Sequence, residues 1–298
     1  MPEDKPKLRV LDLFSGILVG GFSLGLERTG GFVTTAFCEI EPFPRRVLAK
    51  HWPEVPCYHD VTELTGDILG RDGIAVDVIT GGFPCQDLST AGKQAGMGAG
   101  TRSGLWSEIV RLVGELRPRY VIVENVAALL SGPSEKRGGW FGRVLGDLAE
   151  CGYDAEWENI PAAALGAPHR RERVWIVAYP AKVRRPEVAL FDIARNGIEA
   201  GAWGPSGNAC PLGGSELIAH WEKQSGLSLV GNGFPDGSRI CAAAGNAVYP
   251  VIPELIGRAI LATESRHFAG SASETAAATL SATGGFDDRR ADLWLPSP

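Results

Sequence analysis

The tripeptide Pro84-Cys85-Gln86 follows an apolar run, Val76-Asp77-Val78-Ile79-Thr80, and a Gly81-Gly82 break. A strand that ends in such a break presents its next residues at the mouth of an α/β sheet, where reactive groups and ligands collect. One of those residues is a thiol. A free Cys has a reference pKa near ~8.5, so about 3% is thiolate at neutral pH unless a helix dipole or a neighbouring cation lowers it. A lone cysteine is more often a small buried hydrophobe. Two further groups could act with it. Val121-Ile122-Val123-Glu124-Asn125-Val126 puts a carboxyl directly after an apolar strand at the same sheet edge. Partial burial there favours the protonated form and lets Glu124 donate a proton near neutral pH. His169-Arg170-Arg171-Glu172-Arg173 precedes a strand over Val174–Val177. If that strand starts early, alternation sends Arg171 and Arg173 to one side, so that two guanidiniums converge on one acceptor. A solvated strand-end Glu and a solvated charge run are the ordinary alternatives.

These groups need a frame that brings them to one edge. From Leu8 to about Tyr179, short apolar runs alternate with longer amphipathic ones, starting with Leu8-Arg9-Val10-Leu11-Asp12-Leu13-Phe14 and a Gly-rich turn into Phe22-Ser23-Leu24-Gly25-Leu26. That rhythm predicts an α/β fold with a mostly parallel, doubly wound sheet. Further strands are expected over Phe32–Cys38, Val76–Thr80, Tyr120–Val123, Asp154–Ile160 and Val174–Ala178, and helices over Pro42–His51, Leu105–Leu116 and Trp140–Cys151. After Pro180 the rhythm stops. Pro186, Pro205 and Pro211 recur and Gly201–Gly207 reads as turns and irregular chain, before a helical pattern returns over Pro250–Thr263. The tail from Ser265, rich in Ser, Ala, Thr and Gly, is expected to be largely disordered.

The turn Ser15-Gly16-Ile17-Leu18-Val19-Gly20-Gly21-Phe22 directly follows the first strand. It could bring backbone N–H groups close to a nucleotide-like ligand, although glycines at strand-to-helix turns often serve geometry alone. Glu39 ends the second strand 23 positions after Gly16. A carboxylate placed there can accept hydrogen bonds from ribose hydroxyls, and a solvated strand-end charge fits it equally. The absence of a GxxxxGKS or GxxxxGKT loop disfavours a P-loop nucleotide hydrolase.

Composition narrows the partners. With 298 residues, 44% of them apolar, the chain can bury one large domain plus a smaller one. Its six cysteines (Cys38, Cys57, Cys85, Cys151, Cys210, Cys241) show no CxxC pair and no His-rich ligand spacing, so neither a metal site nor a disulfide framework is expected. A reduced, cytoplasmic setting fits that usage. The N-terminal residues hold no apolar signal core and no apolar run reaches membrane-spanning length, so no membrane partner is expected. A net charge of −6 argues against indiscriminate nucleic-acid binding, yet a local basic face can still supply phosphate contacts.

Taken together and in order, these segments resemble the DNA cytosine-5 methyltransferase family. The match rests on Asp12-Leu13-Phe14-Ser15-Gly16 with Gly20-Gly21-Phe22-Ser23-Leu24-Gly25-Leu26-Glu27, then Glu39, Asp60-Val61, Gly82-Phe83-Pro84-Cys85-Gln86, Glu124-Asn125-Val126, Arg171-Glu172-Arg173 and Gly245-Asn246-Ala247-Val248. Several short motifs in one order are far more specific than any one of them. The resemblance implies a Rossmann-like catalytic domain over 1–180 and a small irregular recognition lobe over 181–240. A segment over 241–264 would return to the catalytic domain, followed by a tail over 265–298. It implies that Cys85 attacks C6 of a cytosine flipped out of duplex DNA while Glu124 protonates or hydrogen-bonds N3, with Arg171 and Arg173 holding the base edge and the adjacent backbone. Phe14, Ser15, Gly16, Gly20, Gly21, Glu39, Ile40, Asp60, Val61, Pro84, Leu105, Asn246 and Ala247 would line the pocket for S-adenosylmethionine, with S-adenosylhomocysteine as product. Gln86, Ser89, Asn125, Val126 and His169 would meet the DNA, and Ser89–Gly104 would form the loop that closes over it. No metal is implied, and a cytoplasmic monomer, prokaryotic or phage-encoded, is expected.

Three departures from the family pattern stand out. The family usually has Gly-x-Gly-Gly in the first motif, whereas Gly16-Ile17-Leu18-Val19-Gly20-Gly21 is two residues longer, through Leu18 and Val19. His169 stands where the family usually has Gln. The 64 residues between Pro180 and Gly245 carry six basic and six acidic side chains, which implies a short or relaxed recognition sequence. Two alternatives stay open: an RNA cytosine-5 methyltransferase, which shares the Pro-Cys-Gln chemistry, and a DNA-binding protein impaired in catalysis by its first motif.

Overall fold

The computed structural model describes residues 6–16, 21–83, 105–131, 139–165, 172–182, 189–199 and 248–265. Chain order runs β1 (Leu8–Leu13), α1 (Gly21–Arg28), β2 (Phe32–Cys38), α2 (Pro42–His51), β3 (Cys57–Tyr58), α3 (Gly66–Arg71) and β4 (Val78–Gly81). It continues with α4 (Trp106–Leu116), β5 (Tyr120–Val126), α5 (Gly139–Glu150), β6 (Tyr153–Pro161), β7 (Glu172–Pro180) and α6 (Leu190–Glu199). A last helix, α7, occupies 251–265. Met1–Ala259 forms one unit, which holds the whole sheet; of the second, Ile260–Pro298, only the end of α7 is described.

The strands form one sheet in the order β3-β2-β1-β4-β5-β7-β6. β3, β2, β1, β4 and β5 pair in parallel, and β7 runs antiparallel between β5 and β6. The strands expected from the apolar runs form at those places, and the sheet is mostly parallel as the βαβ rhythm predicts. Its central strands are apolar on both faces because both faces are covered. One face packs Leu11, Leu13, Ile79, Val121 and Val123 against Trp106, Ile109 and Leu112 of α4 and Trp140, Val144 and Leu148 of α5. The other carries α1, whose Phe22 ring meets the Trp175 ring of β7 edge-on at 5.5 Å.

Three elements are not legible in the apolar pattern. β3 has two residues and α3 six, too short for a period to show. α6 corrects the expectation of irregular chain after Pro180. Leu190, Phe191, Ile193 and Ala194 are buried along one face of it, and the backbone N–H of Leu190 donates to Glu156 of β6 at 2.7 Å. That carboxylate satisfies one of the unpaired donors of the helix's first turn, a role that prolines upstream do not prevent. The remainder of the expected recognition lobe, over 183–188 and 200–240, lies outside the described residues, as does the expected disordered tail after its first residue; Ser265 itself closes α7, its hydroxyl donating to the Leu261 carbonyl at 2.9 Å.

Glycines let α1 approach the segment that returns after residue 247. A Cβ built on Gly21 would lie 2.5 Å from the carbonyl oxygen of Val248, and one on Gly25 2.2 Å from that of Pro250. Backbone cannot yield there as a flexible side chain would. Gly25→Ala is therefore expected to destabilise the protein by up to about 2 kcal/mol net, an overpacking cost of about 1–3 kcal/mol less the roughly 1 kcal/mol that Ala gains over Gly inside a helix. Gly114, on the exposed side of α4, has nothing within 4 Å of its virtual Cβ. Gly114→Ala should stabilise by up to about 1 kcal/mol. Urea unfolding of the two variants checks the opposite signs, and equal shifts would refute the close approach.

Candidate active site

The strand order reverses between β1 and β4: β2 and β3 continue to one side and β5 to the other. Chains leaving the carboxyl ends of two such neighbours depart in opposite directions and open a crevice, the usual ligand position of a doubly wound sheet. The described site residues gather on both sides of that crevice.

On the β1 side the chain turns sharply. Phe14 takes a left-handed conformation at φ 55°, uncommon for a bulky residue, and Gly16 follows at φ 65°. Backbone held this way is often part of a ligand site. The N–H of Gly16 donates to Glu39 Oε2 at 2.9 Å, and the N–H of Glu41 donates to Oε1 at 2.8 Å. Glu39 directly follows β2 and is buried, so two backbone donors fix its carboxylate beside the first turn while each oxygen keeps a lone pair for a further donor. Ile40, next to it, exposes its side chain. Asp60 follows β3 and accepts from the N–H and hydroxyl of Thr62 at 2.9 and 2.8 Å, which hold its carboxyl below the usual carboxylate range. Val61 is buried, and its carbonyl accepts from Arg111 Nη2 at 3.0 Å. Leu105 directly precedes α4 and packs on the core.

A carboxyl that sequence reasoning does not single out lies beneath this turn. Asp12 of β1 is fully buried; Oδ1 accepts from Thr80 Oγ1 of β4 at 3.0 Å and Oδ2 from Ser23 Oγ of α1 at 2.8 Å. Burial pushes its pKa up to about 7, against the pull of the Ser23 and Thr80 hydrogen bonds and with a smaller push from Glu39. The signal that could have found it is an acid in the middle of an otherwise apolar strand, since an Asp is rarely fully buried without partners. Because the folded-state value lies above that of an exposed Asp, Asp12 adds stability that is fully present below about pH 4 and is lost as the pH rises through about 7. Asp12→Asn removes that titration. Its amide oxygen can still accept from Ser23, and the Thr80 hydroxyl can reverse to accept from the amide N–H. Unfolding free energies at pH 5 and pH 8 should differ less in the variant, by up to about 1.4 kcal/mol per pH unit of the window. An unchanged difference would contradict the buried proton.

On the other side stand β4, β5 and β7. Gly81 pairs with Val123, so the chain leaving β4 passes beside Glu124, and a Cβ on Gly82 would lie 3.2 Å from Glu124 Oε2. β7 pairs antiparallel with Glu124 opposite Trp175 and Val126 opposite Arg173. Glu124 and Arg173 are thus diagonal neighbours on one face, and Arg173 Nε meets Glu124 Oε1 at 2.9 Å. Asn125 is buried and its Nδ2 donates to the carbonyl of Phe83 at 3.1 Å, tying β5 to the segment that leads to the thiol. Val126 is half-buried at the end of β5. Gly20, Pro84, Cys85, Gln86, Ser89, His169, Arg171, Asn246 and Ala247, together with Leu18 and Val19, lie outside the described residues. Among those described, no group of His, Cys, Asp and Glu could hold a metal ion.

The buried carboxylate at the end of β2 and the Glu–Arg pair beside the end of β4 thus lie at one edge of the sheet, on either side of the β1–β4 switch point. Residues 8–196 match the profile of the C-5 cytosine-specific DNA methylase family. The chain belongs to that family. It is 36% identical to the Type II methyltransferase M2.BsuMI of Bacillus subtilis over 175 residues, 57% of this chain and 42% of that protein. With the Type II methyltransferase M.AluI of Cellulosimicrobium cellulans it shares 34% over 254 residues, 78% of this chain and 47% of that protein. In each of these pairings the chain spans less than half of its relative. Among solved structures, a candidate DNA modification methyltransferase encoded within a prophage (E. coli) superposes with a TM-score of 0.50 at 28% identity, covering 61% of this chain and 49% of that one. The S. pombe Dnmt2 methyltransferase shares the fold, with a TM-score of 0.50 at 20% identity, 68% of this chain and 57% of that one. No described helix is long and apolar enough to cross a membrane.

Proposed function

We propose that this member of the family transfers a methyl group to C5 of cytosine in duplex DNA. The observation that carries the reading is the Arg173–Glu124 pair beside Gly82, at the end of the strand that leads to Pro84-Cys85-Gln86. Cys85 follows Phe83 by two residues in the sequence.

The crevice suits S-adenosylmethionine. Glu39 sits where ribose hydroxyls can donate to its free lone pairs, and the left-handed turn at Phe14 and Gly16 leaves room for close approach, since a Cβ on Gly16 would meet only the Phe14 carbonyl at 3.8 Å. Glu39, Ile40, Asp60 and Val61 would hold the nucleoside and Phe14, Ser15 and Gly16 the amino-acid end, with Gly20, Gly21, Pro84, Leu105, Asn246 and Ala247 completing the pocket. When bound, S-adenosylmethionine supplies the methyl group as an electrophile for C5.

The chain's own residues make C5 nucleophilic. The Cys85 thiolate bonds to C6, and the electrons of the C5–C6 double bond shift toward C5 and the ring as Glu124 hydrogen-bonds or protonates N3. Arg173 orients Glu124 through its 2.9 Å ion pair, and Arg171 would join it on the base edge and adjacent backbone. After methylation, the C5 proton passes to water, its electron pair restores the C5–C6 double bond, and the C6–S bond breaks to release the thiolate. Because C6 is shielded inside a duplex, the cytosine must leave the stack, and Gln86, Ser89, Asn125, Val126 and His169 would face the DNA. The Type II naming of the relatives supports a restriction–modification setting in a prokaryotic or phage context.

Transfer of a labelled methyl group from S-adenosylmethionine to duplex DNA and to tRNA, measured side by side, tests the reading. Labelled cytosine in the duplex is the expected result. Label in tRNA alone would favour RNA methylation, and none in either, with DNA still bound, would favour an impaired binder.

A further inference from the structure

The edge of the sheet that carries Glu39 and Asp60 has little backbone pairing to hold it. β2 and β3 share two register partners, Phe37 with Cys57 and Cys38 with Tyr58, and β3 is an edge strand of two residues. One additional backbone bond comes after them, from the N–H of Glu39 to the carbonyl of Tyr58 at 3.0 Å. Beyond it, the chains carrying Glu39-Ile40 and Asp60-Val61 leave the sheet.

A single guanidinium spans that gap. Arg45, half-buried on the first turns of α2, donates from Nη1 to the carbonyls of Glu39 at 3.0 Å and Tyr58 at 2.7 Å, and from Nη2 to the carbonyl of Cys57 at 2.9 Å. A carbonyl oxygen has two lone pairs, so the Tyr58 carbonyl accepts from Arg45 as well as from the Glu39 N–H. The planar fork of Arg can serve three at once with one charge, which the point-like ammonium of Lys cannot reproduce. The backbone N–H of Arg45 also donates to Glu41 at 3.2 Å, and Glu41 in turn donates to the Glu39 carboxylate. Arg45 is therefore tied to both the main chain and the side chain of the Glu39 turn.

We propose that Arg45 is a positioning residue for the cofactor pocket: by bridging the carboxyl ends of β2 and β3 it sets the separation of Glu39 from the Asp60-Val61 turn, and so the affinity for the nucleoside part of S-adenosylmethionine. The inference rests on the reading of this crevice as the S-adenosylmethionine site. Arg45 touches neither methyl donor nor base. Its effect is exerted through the carbonyls it holds.

The test uses the full chain with Arg45→Met, which keeps the aliphatic stem and removes every donor, and Arg45→Lys, which restores one charge without the fork. Calorimetry with S-adenosylmethionine should give a Kd for Arg45→Met about tenfold above wild type, equivalent to ~1.4 kcal/mol, with Arg45→Lys between the two. Without any ligand, hydrogen exchange at the Glu39 amide, which bonds to the Tyr58 carbonyl, should accelerate in the same order. Duplex DNA affinity should move by no more than about twofold, since a local pocket change acts on one ligand and general unfolding on both. Cofactor affinity equal to wild type in both variants would overturn the inference and leave the proposed function standing. A parallel loss of cofactor and DNA binding would overturn it in favour of a merely structural role. Should Arg45→Met fail to fold, Arg45→Lys decides alone. A wild-type protein that binds no S-adenosylmethionine would remove the functional reading itself, and the inference with it.

Discussion

Glu124→Gln is expected to lower turnover on duplex DNA by ~10²–10⁴-fold, the usual contribution of a positioned acid. The amide keeps nearly the same shape, so the 2.9 Å contact between β5 and β7 loses its ionic part but not its packing and the fold should survive. What the variant loses is a carboxyl that can pass a proton to N3 and then hold the negative charge beside N3–H when the thiol adds at C6. Affinity for S-adenosylmethionine should barely change, because the residues proposed to hold it lie mainly at the ends of β1, β2 and β3, across the crevice from Glu124. Normal turnover at saturating cofactor combined with lost cofactor binding would contradict the assignment and place Glu124 in the pocket instead.

How much of the site is legible in the sequence depends on the range over which each feature is determined. β4 and β5 announce themselves as apolar runs, because strands covered on both faces need no polar alternation, and their carboxyl ends fix where Glu124 and the chain toward Cys85 emerge. Glu39 is legible as a strand-end acid, but its two backbone donors, Gly16 and Glu41, become visible only in the folded turn. The same holds for Glu124. Alternation suggests two guanidiniums converging on one acceptor, and the antiparallel register of β7 against β5 brings Arg173 to Glu124 as an ion-pair partner.

Asp12 and Arg45 are hidden in the sequence for a different reason. Asp12 is satisfied by hydroxyls 11 and 68 residues away, and nothing in the neighbouring sequence says that Ser23 and Thr80 will meet it. Arg45 donates to main-chain carbonyls, which carry no residue-type signal at all. α6 is obscured because prolines on both sides outweigh a short amphipathic run whose partner, Glu156 on β6, is supplied by tertiary structure. In each case the missing information is a long-range contact, and local propensity cannot encode it.

The second large effect concerns the thiol. Cys85→Ser should reduce methyl transfer to background, because a serine hydroxyl at neutral pH is a far weaker nucleophile than a thiolate without an activating base beside it. Loss of turnover alone would not separate covalent chemistry from a damaged site, and a trapped complex does. Duplex DNA of mixed sequence in which 5-fluorocytosine replaces cytosine, incubated with the wild-type protein and S-adenosylmethionine, should yield a protein–DNA species that survives denaturation. Fluorine at C5 cannot leave as the proton does, so the bond from Cys85 to C6 is not released. Mass spectrometry should place the linkage on the peptide containing Cys85, and Cys85→Ser should form no such species. A wild-type protein that methylates normal duplex DNA yet leaves the fluorinated duplex unlinked, or a linkage that persists in Cys85→Ser, would contradict the covalent role of this thiol.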